Sequence, residues 1–437
     1  MNKRAAVRTL SSLSSAALLA GGFLGQSAFA GTSQSNVVNI TFWNGHPSGS
    51  LQAQMHAEVA QFNKTHPKIH VTYTDKYAKV QDITAAMTAG DAPNVAMPHL
   101  DWAQQFAQDG YLLNLTPFIR GSGTHGITAA QLKQDYYPSV WARMSIAPGK
   151  QYILPYEENG QMVIYYNANL LRKAGIKAPP HTWSQVVADA KKVTVLGSQY
   201  HGIAWTPSLT QWLVIVKDYG GQIFANNKDT KFALDNKGAL AALNMLRSMV
   251  ANKTMELTQN YDYQLDFGTG DVGMLIEQSA GWTYDYQSAG GKFKMMASPA
   301  PAGPSGQAFN YVTGDTLCVL NVGTPAQKLA AWTFVKWLSS PQVNAEWNEN
   351  TNYLPTGPKS ASLMTDFYKK NPNYKAAFSN PVHWLTDPAA NATQYYAAEN
   401  AMNDDFYKAL MGQESTAQAL KNMNTIGNEY LSGQQRS

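Results

Sequence analysis

Aromatic side chains that stand next to polar side chains are the feature of this sequence best suited to recognising another molecule. Phe, Trp and Tyr make up 11% of the chain. An aromatic ring can stack on the C–H face of a sugar ring, while neighbouring carboxylate and amide groups pair with its hydroxyls. The segments with this pattern are Trp43-Asn44-Gly45-His46, Asp101-Trp102, Trp205, Trp212, Gly281-Trp282 and Asn352-Tyr353. As a set they predict a carbohydrate site, although each one alone also fits ordinary core packing.

Catalytic and metal-binding constellations are sparse. The sequence has no His-Glu-x-x-His helix, no Gly-x-Ser-x-Gly elbow and no phosphate-binding loop. Its nine histidines are scattered without a pair at metal-ligand spacing, so neither a metal nor a cofactor is expected. Glu157 and Glu158 are adjacent, and neighbours on a strand point to opposite faces, which suits them badly as general acid and base. The single cysteine, Cys318, lies in an apolar stretch and is predicted to be a buried thiol. These observations indicate a protein that is not an enzyme.

The start of the chain predicts export. Lys3, Arg4 and Arg8 form a basic beginning. An apolar stretch at residues 10–24 follows, and residues 28–30, Ala-Phe-Ala, form a small-x-small cleavage pattern. That stretch is shorter than the ~20 residues that cross a membrane. With no Cys near the cleavage site, no lipid attachment is expected. The mature protein is therefore expected to be free in a periplasm or outside the cell.

Length and charge narrow the class of partner. A chain of 437 residues is longer than a domain with a single hydrophobic core usually is, and its length fits two lobes. Lys and Arg number 33 against 29 Asp and Glu, and the leader holds three of the basic side chains. The remaining chain is nearly neutral, whereas binding a nucleic-acid backbone needs clustered Lys and Arg. A nucleic-acid partner is not expected.

The elements that must position the aromatic segments alternate between strand and helix. The apolar spacing predicts strands at residues 37–43, 69–73, 94–97, 151–154, 161–166, 272–276, 293–297 and 312–320. Helices are predicted at residues 51–62, 80–87, 167–174, 183–195 and 240–250, and helices dominate from residue 325 onward. This order is typical of parallel α/β layers, which bind ligands at the carboxyl ends of their strands. A Pro- and Gly-rich stretch at residues 298–306 is predicted to cross between lobes.

Several short motifs occur in a family-specific order along residues 39–430. They are Ile40-Thr41-Phe42-Trp43, residues 62–67 (FNKTHP), residues 90–95 (GDAPNV) with Gly110-Tyr111-Leu112, Tyr165-Tyr166-Asn167, residues 170–175 (LLRKAG) with Thr182-Trp183, residues 270–274 (GDVGM), residues 334–338 (FVKWL) with Ser340-Pro341, and Tyr353-Leu354-Pro355. In this order they resemble the extracellular solute-binding proteins of ABC importers, in the sugar-binding group that includes the maltose-binding and glycerol-3-phosphate-binding proteins. Asn352 stands where the glycerol-3-phosphate type has Gly.

The resemblance implies an α/β protein with the two-lobed, type II periplasmic-binding-protein fold and a ligand cleft between the lobes. Residues 1–30 are then the signal peptide. The N-terminal lobe comprises residues 31–150 and 299–340, and the C-terminal lobe comprises residues 151–298 and 341–437.

The resemblance also implies a set of ligand contacts. Asp101 falls where maltose-binding proteins place an Asp on sugar hydroxyls, and Trp102 replaces their following Arg. The positions at which maltose-binding proteins stack aromatic rings on sugar fall on Trp212, on Trp282 and near Tyr395. The ligand positions of the glycerol-3-phosphate type fall on Trp43, Tyr77, Gly314 and Tyr353. With the polar residues beside these segments, the predicted ligand-binding residues are Trp43, His46, Tyr77, Asp101, Trp102, Glu158, Asn159, Trp205, Trp212, Trp282, Gly314, Asp315, Tyr353 and Tyr395.

One departure from the resemblance bears on the ligand. Phosphate-binding relatives use an Arg in the C-terminal part, and this sequence has no Arg between Arg247 and Arg436. The expected ligand is therefore a neutral mono-, di- or oligosaccharide. The implied function is capture by lobe closure and delivery to the transmembrane subunits of an ABC permease, by a monomer. The alternatives are a binding protein for glycerol-3-phosphate or glycerophosphodiesters, a secreted carbohydrate-active hydrolase, and a chemoreceptor ligand carrier or adhesion module.

Overall fold

Three β-sheets and the helices that cover them make up the described part of the chain. The computed structural model describes residues 37–44, 46, 49–120, 129–226, 228–372, 374–375, 382–392 and 394–433. The predicted signal peptide, residues 1–30, lies outside these residues. Among the described residues, no helix combines the length and the apolar content that crossing a membrane requires.

The strands form two five-stranded sheets and one three-stranded sheet. In chain order they are β1 (Val38–Trp43), β2 (Ile69–Thr74), β3 (Val95–Ala96), β4 (Ile153–Pro155), β5 (Asn159–Gly160), β6 (Val163–Asn167), β7 (His201–Trp205), β8 (Met255–Leu257), β9 (Val272–Glu277), β10 (Met295–Ser298), β11 (Ala308–Thr313), β12 (Thr316–Val319) and β13 (Val382–Thr386). The first sheet has the order β2-β1-β3-β12-β4, the second β10-β6-β9-β7-β8 and the third β13-β11-β5.

Helices pack around these sheets. They are α1 (Gly49–Thr65), α2 (Val80–Ala89), α3 (Leu100–Gln108), α4 (Thr116–Arg120), α5 (Ala129–Asp135), α6 (Pro138–Arg143), α7 (Ala168–Lys173), α8 (Trp183–Thr194), α9 (Leu209–Asp218), α10 (Lys237–Ala251), α11 (Asp262–Thr269), α12 (Trp282–Ala289), α13 (Pro325–Leu338), α14 (Pro341–Thr351), α15 (Pro358–Leu363), α16 (Thr365–Lys370), α17 (Tyr395–Leu410) and α18 (Thr416–Leu431). Two short 3-10 helices cover Ser279–Gly281 and Pro388–Ala390.

Local chemistry sets several of these helix ends. Thr182 accepts a hydrogen bond from the backbone N–H of Gln185, whose side chain returns to the Thr182 backbone, so a capping box starts α8. The Asn167 side chain caps α7 by accepting hydrogen bonds from the backbone N–H groups of Asn169 and Leu170. Gly90 ends α2 in the left-handed conformation, with φ 79°. These ends lie within two residues of the predicted ones.

The prediction of parallel α/β layers is confirmed. Strand β1 pairs in parallel with both β2 and β3, and β7 pairs in parallel with both β8 and β9. Two predictions differ from the structure. The strand predicted at residues 312–320 is divided into β11 and β12 at Gly314-Asp315, and β13 interrupts the region predicted to be helical. Cys318 is fully buried, as predicted.

The Pro- and Gly-rich stretch at residues 298–306 joins β10 of the second sheet to β11 of the third sheet and does not itself lead to the first sheet. Its Ala302 N–H donates to the His181 carbonyl at 2.8 Å, and the Trp183 N–H donates to the Ala302 carbonyl at 3.1 Å. The stretch therefore packs at the start of α8, beside the second sheet. Proline and glycine end a strand without specifying where the chain goes next, which explains the difference.

The chain leaves the first sheet after Pro155 and returns to it at Thr316. Helix α14 contacts α1 and α13, and α13 contacts β1 and β12 of the first sheet. The lobe boundaries at residues 150, 298 and 340 stay predictions, and these contacts favour later crossings near residues 155–159 and 313–316.

Buried carboxyl groups give the fold a defined pH dependence. Glu58 of α1 is 1% exposed, and the Tyr156 hydroxyl donates to its Oε2 at 2.5 Å. Burial raises the pKa of Glu58 to about 8, against the opposing effect of that hydrogen bond. The folded state therefore binds a proton that the unfolded state releases near pH 4.5, so the free energy of unfolding falls as the pH rises toward 8.

We expect the melting temperature to be higher at pH 5.5 than at pH 8, as measured by scanning calorimetry. Burial raises the pKa values of Glu277 and Glu399 to about 8 and about 7, so these two groups add to the fall in melting temperature with rising pH. Glu58→Gln should make this dependence of the melting temperature on pH weaker, whereas Glu349→Gln, on the exposed surface of α14, should leave it unchanged. Stability that rises with pH over this range would contradict the assignment of protonated buried carboxyls.

Candidate ligand-binding cavity

A cavity of about 940 Å³ lies where strand ends of the first and second sheets meet. His46 follows β1, Tyr77 follows β2 and His99 follows β3, all at the carboxyl ends of parallel strands. Tyr261 follows β8 and Gln278 follows β9 at the corresponding edge of the second sheet. Loop residues beyond such ends converge because parallel strands end at one edge of a sheet.

Eight of the predicted ligand-binding residues line this cavity. They are His46, Tyr77, Asp101, Trp102, Asn159, Gly314, Asp315 and Tyr353. The structure brings them together from six separate stretches of chain. Their role as ligand contacts stays a prediction.

Three of the predicted aromatic contacts belong to the core instead. Trp205 and Tyr395 are each 1% exposed and Trp212 is fully buried. The Trp205 indole N–H donates to Gln211 Oε1 at 2.6 Å, and the Trp212 ring packs on Phe406. An aromatic residue next to a polar one is also typical of ordinary core packing, and that interpretation applies to these three residues.

Three further predicted residues lie beside the cavity without lining it. The Trp43 ring faces the Lys76 ammonium at 4.2 Å. Trp282 packs against Tyr165, and only its neighbour Gly281 reaches the cavity wall. Glu158 is buried in an ion pair, described below.

Two of these differences are displacements by one residue. Glu157 lines the cavity and Glu158 points away from it, because successive residues of an extended segment face opposite sides. Tyr396 lines the cavity and Tyr395 faces the core, because neighbours on a helix are rotated by about 100°. In both cases the segment predicted from the sequence reaches the cavity, but the side chain that faces the cavity is the neighbour of the predicted one.

Other polar and aromatic lining residues were missed by the sequence analysis. They are His99, Glu157, Gln161, Thr210, Tyr261, Tyr263, Gln264, Glu277, Gln278, Tyr284, Thr313, Tyr396 and Asn400. A usable signal existed for some of them: His99, Tyr261 and Gln278 each come shortly after a strand. Tyr263 and Glu277 bind each other, with the Tyr263 hydroxyl donating to Glu277 Oε1 at 3.0 Å.

Two histidine–carboxylate pairs form part of the wall. His46 Nε2 lies 2.8 Å from Glu157 Oε1, and His99 Nδ1 lies 2.5 Å from Asp315 Oδ1. Burial acts to lower the pKa of His46, but the Glu157 carboxylate outweighs it and raises this pKa above its usual value. At His99, burial also acts to lower the pKa, but the Asp315 carboxylate outweighs it and raises the pKa of the imidazole to about 9. Each imidazole therefore already has a carboxylate bound to it.

Asp101 offers the cavity an unused acceptor. It lies in the first turn of α3, and its Oδ1 is buried with no hydrogen-bond partner among the described residues. Burial raises the pKa of Asp101 to about 6, with nearby His99 acting in the opposite direction. At neutral pH this carboxylate is mainly ionised, and its Oδ1 can accept a hydrogen bond from a hydroxyl in the cavity. Trp102 beside it presents a half-buried ring to the same cavity.

Backbone and amide contacts hold the wall together where the chain crosses between sheets. Gly314 has φ 143°, and a Cβ there would lie 2.1 Å from the Glu157 carbonyl oxygen, so the close approach of these two segments requires glycine. Asn159 Oδ1 accepts from the Ser279 hydroxyl at 2.8 Å and from the Ala280 N–H at 3.2 Å. Asn159 thus lines the cavity, but its oxygen is engaged in positioning the 3-10 helix.

A buried ion pair lies directly behind this crossing. Arg143 Nη2 donates to Glu158 Oε1 at 2.6 Å, and neither side chain is more than 1% exposed. Arg143 Nη1 also donates to the Gly314 carbonyl at 3.5 Å. The pair ties α6 to both crossing segments.

Comparison with protein families identifies one that covers most of the chain. The sequence profile described as bacterial extracellular solute-binding protein matches residues 57–376. A binding protein of Brucella abortus (strain 2308) is 26% identical over 305 residues, which cover 68% of this chain and 70% of that protein.

Comparison with solved structures finds the same architecture. UgpB from Mycobacterium tuberculosis in complex with glycerophosphocholine superimposes with a TM-score of 0.75 at 21% identity, covering 91% of this chain and 99% of that one. The cyclic alpha-maltosyl-1,6-maltose binding protein from Arthrobacter globiformis gives a TM-score of 0.74 at 19% identity, covering 91% and 100%. At these identities the likeness establishes the fold, which is the two-lobed α/β fold of periplasmic binding proteins.

Proposed function

This chain belongs to the family of bacterial extracellular solute-binding proteins, and from that premise we propose that its cavity binds a neutral carbohydrate for an ABC importer. The ligand is a mono-, di- or oligosaccharide. The protein is exported, loses its signal peptide and acts as a monomer. It delivers the ligand to the transmembrane subunits of a permease and catalyses no reaction on it.

The composition of the cavity wall is the observation that carries this proposal. Among the described lining residues there are aromatic rings, carboxyl groups and amides, and there is neither Lys nor Arg. Rings such as Trp102, Tyr284 and Tyr353 can stack on pyranose faces. Acceptors such as Asp101 Oδ1 and amide groups such as Asn400 can pair with hydroxyls, which both donate and accept.

The same wall argues against a phosphorylated ligand. A phosphate group in a buried site requires cationic donors. The imidazoles of His46 and His99 are the candidates, and each is already bound to a carboxylate, Glu157 or Asp315. A phosphate would also lie close to those two carboxylates, which would repel it.

Glycerophosphocholine is the second candidate, favoured by one specific observation. A trimethylammonium group binds well among aromatic rings, and the wall contains Tyr261, Tyr263 and Tyr284. The Mycobacterium tuberculosis relative was solved with this compound.

Closure of the cleft supplies the mechanism. Residues that follow strands of both main sheets line the cavity, so a ligand reaches all its partners only when the two sides approach. A ligand shifts the equilibrium between open and closed forms by its difference in affinity for them. The segments at residues 155–159 and 313–316 are the proposed hinges, and the permease would recognise the outer surface of the closed form.

A thermal-shift screen of the protein lacking residues 1–30 tests this function. The panel contains neutral sugars from monosaccharides to oligosaccharides, glycerol-3-phosphate and glycerophosphocholine. A ligand that binds only the folded state raises the melting temperature as its concentration rises. A shift with a neutral sugar is the expected result. A shift with the phosphorylated compounds alone would replace the proposed ligand class, and hydrolysis of chromogenic glycosides would overturn the non-enzymatic assignment.

A further inference from the structure

Three potential metal ligands meet at the cavity wall although they are far apart in the sequence. One donor atom from each of His46, Glu157 and Asp315 lies within 4.8 Å of the others. His46 Nε2 lies 2.8 and 2.9 Å from the two carboxylate oxygens of Glu157. The sequence analysis could not find this group, because its members come from three separate loops.

We propose that His46, Glu157 and Asp315 bind a divalent transition-metal ion, with Zn²⁺ as the representative. An imidazole nitrogen and two carboxylate oxygens are ordinary zinc ligands. At metal–ligand distances of about 2.0–2.2 Å, two donors on one ion are at most ~4.4 Å apart. The observed donor atoms lie within 4.8 Å of one another, so only a small side-chain shift is needed to reach that range.

Charge and burial favour a cation at this position. Glu157 is 1% and Asp315 3% exposed, and two carboxylates so close together in a buried site need positive charge nearby. A divalent ion between them would neutralise both carboxylates.

Neighbouring groups already hold the three ligands in place. His99 Nδ1 binds Asp315 Oδ1 at 2.5 Å. The His46 N–H donates to Asn44 Oδ1 at 2.6 Å, and Asn44 Nδ2 donates to the His46 carbonyl at 3.2 Å. Such supporting contacts orient metal ligands and strengthen binding.

The site keeps a side open to the cavity, since all three ligands line it. A zinc ion with three protein ligands retains a position for water or for another oxygen ligand. A hydroxyl of a molecule in the cavity can occupy that position. The metal site itself does not depend on the proposed carbohydrate ligand; only this added role rests on it.

The proposal is tested with untagged protein that has been treated with a chelator. Calorimetry measures the binding of Zn²⁺, and the visible spectrum of Co²⁺ bound in its place reports on the same site. We expect one equivalent of Zn²⁺ to bind, and His46→Ala to weaken it by at least about 10-fold. His56→Ala is the matched control, since His56 also binds a carboxylate, Asp75, but lies on the surface. It should retain the wild-type affinity.

Two outcomes would overturn the metal site. One is that the wild-type protein binds no stoichiometric Zn²⁺. The other is that His46→Ala binds Zn²⁺ as well as the wild-type protein does, with His46→Ala and His56→Ala both folded by circular dichroism. A second variant, Asp315→Asn, guards against misfolding of His46→Ala and should lose binding in the same way. Repeating the sugar screen with and without chelator separates the two proposals. Zinc binding without any sugar shift would contradict only the proposed function, and a sugar shift without zinc binding would contradict only the metal site.

Discussion

Asp101→Ala is expected to weaken binding of the neutral sugar by about 10- to 100-fold, because a charge-assisted hydrogen bond to a ligand hydroxyl contributes roughly 1.5–3 kcal/mol. Stability should stay the same or rise, since the substitution removes a buried carboxylate oxygen that has no partner in the free protein. Calorimetric titration gives the affinity and thermal melting gives the stability. The sugar is the one with the largest shift in the screen.

Asp109→Ala is the matched control for Asp101→Ala. Asp109 directly follows α3, the helix that carries Asp101 in its first turn, but it is exposed and outside the cavity lining. Its substitution should leave sugar affinity unchanged. Wild-type affinity in Asp101→Ala would mean that the unused acceptor is not a ligand contact.

Arg143→Met is expected to cost about 3–5 kcal/mol of unfolding free energy, because it leaves the Glu158 carboxylate buried without its partner. Burial already raises the pKa of Glu158 to about 7, although the Arg143 guanidinium acts to lower it. Without Arg143 this carboxyl should bind a proton more readily. The loss should therefore be smaller at pH 5 than at pH 8, as measured by urea denaturation.

The double variant Arg143→Met/Glu158→Leu provides the control. Replacing a buried ion pair by apolar side chains is often neutral, whereas removing one partner is not. We expect the double variant to recover most of the stability lost in Arg143→Met. A double variant that is as unstable as the single one would show that the contact from Arg143 to the Gly314 carbonyl, rather than the ion pair, stabilises this crossing.

The fold was predictable where a local pattern determines the structure. The apolar alternation of β1, the cap residue Asn167 and the turn at Gly90 each act within a few residues, and the structure confirms all three elements. The path of residues 298–306 was not predictable, because it depends on a hydrogen bond from Ala302 to distant His181.

The candidate site was predictable as a set of loops but less so as a set of side chains. His46 and Tyr77 line the cavity because they follow parallel strands, which the sequence indicates. Trp212 was assigned to the site because its ring chemistry is the same in a core as in a binding site. Glu158 was assigned in place of Glu157, since no local signal shows which of two adjacent carboxylates meets Arg143.

The most direct test of the account is a calorimetric comparison of two matched ligands, the neutral sugar found in the screen and its phosphate monoester. We expect a micromolar dissociation constant for the sugar, which is a binding free energy of roughly −8 kcal/mol. In chelator-treated protein the ester should bind at least about 10-fold more weakly, because a phosphate near Glu157 and Asp315 meets carboxylates and finds no free cation. Tighter binding of the ester would contradict the central claim that this cavity is built for an uncharged carbohydrate.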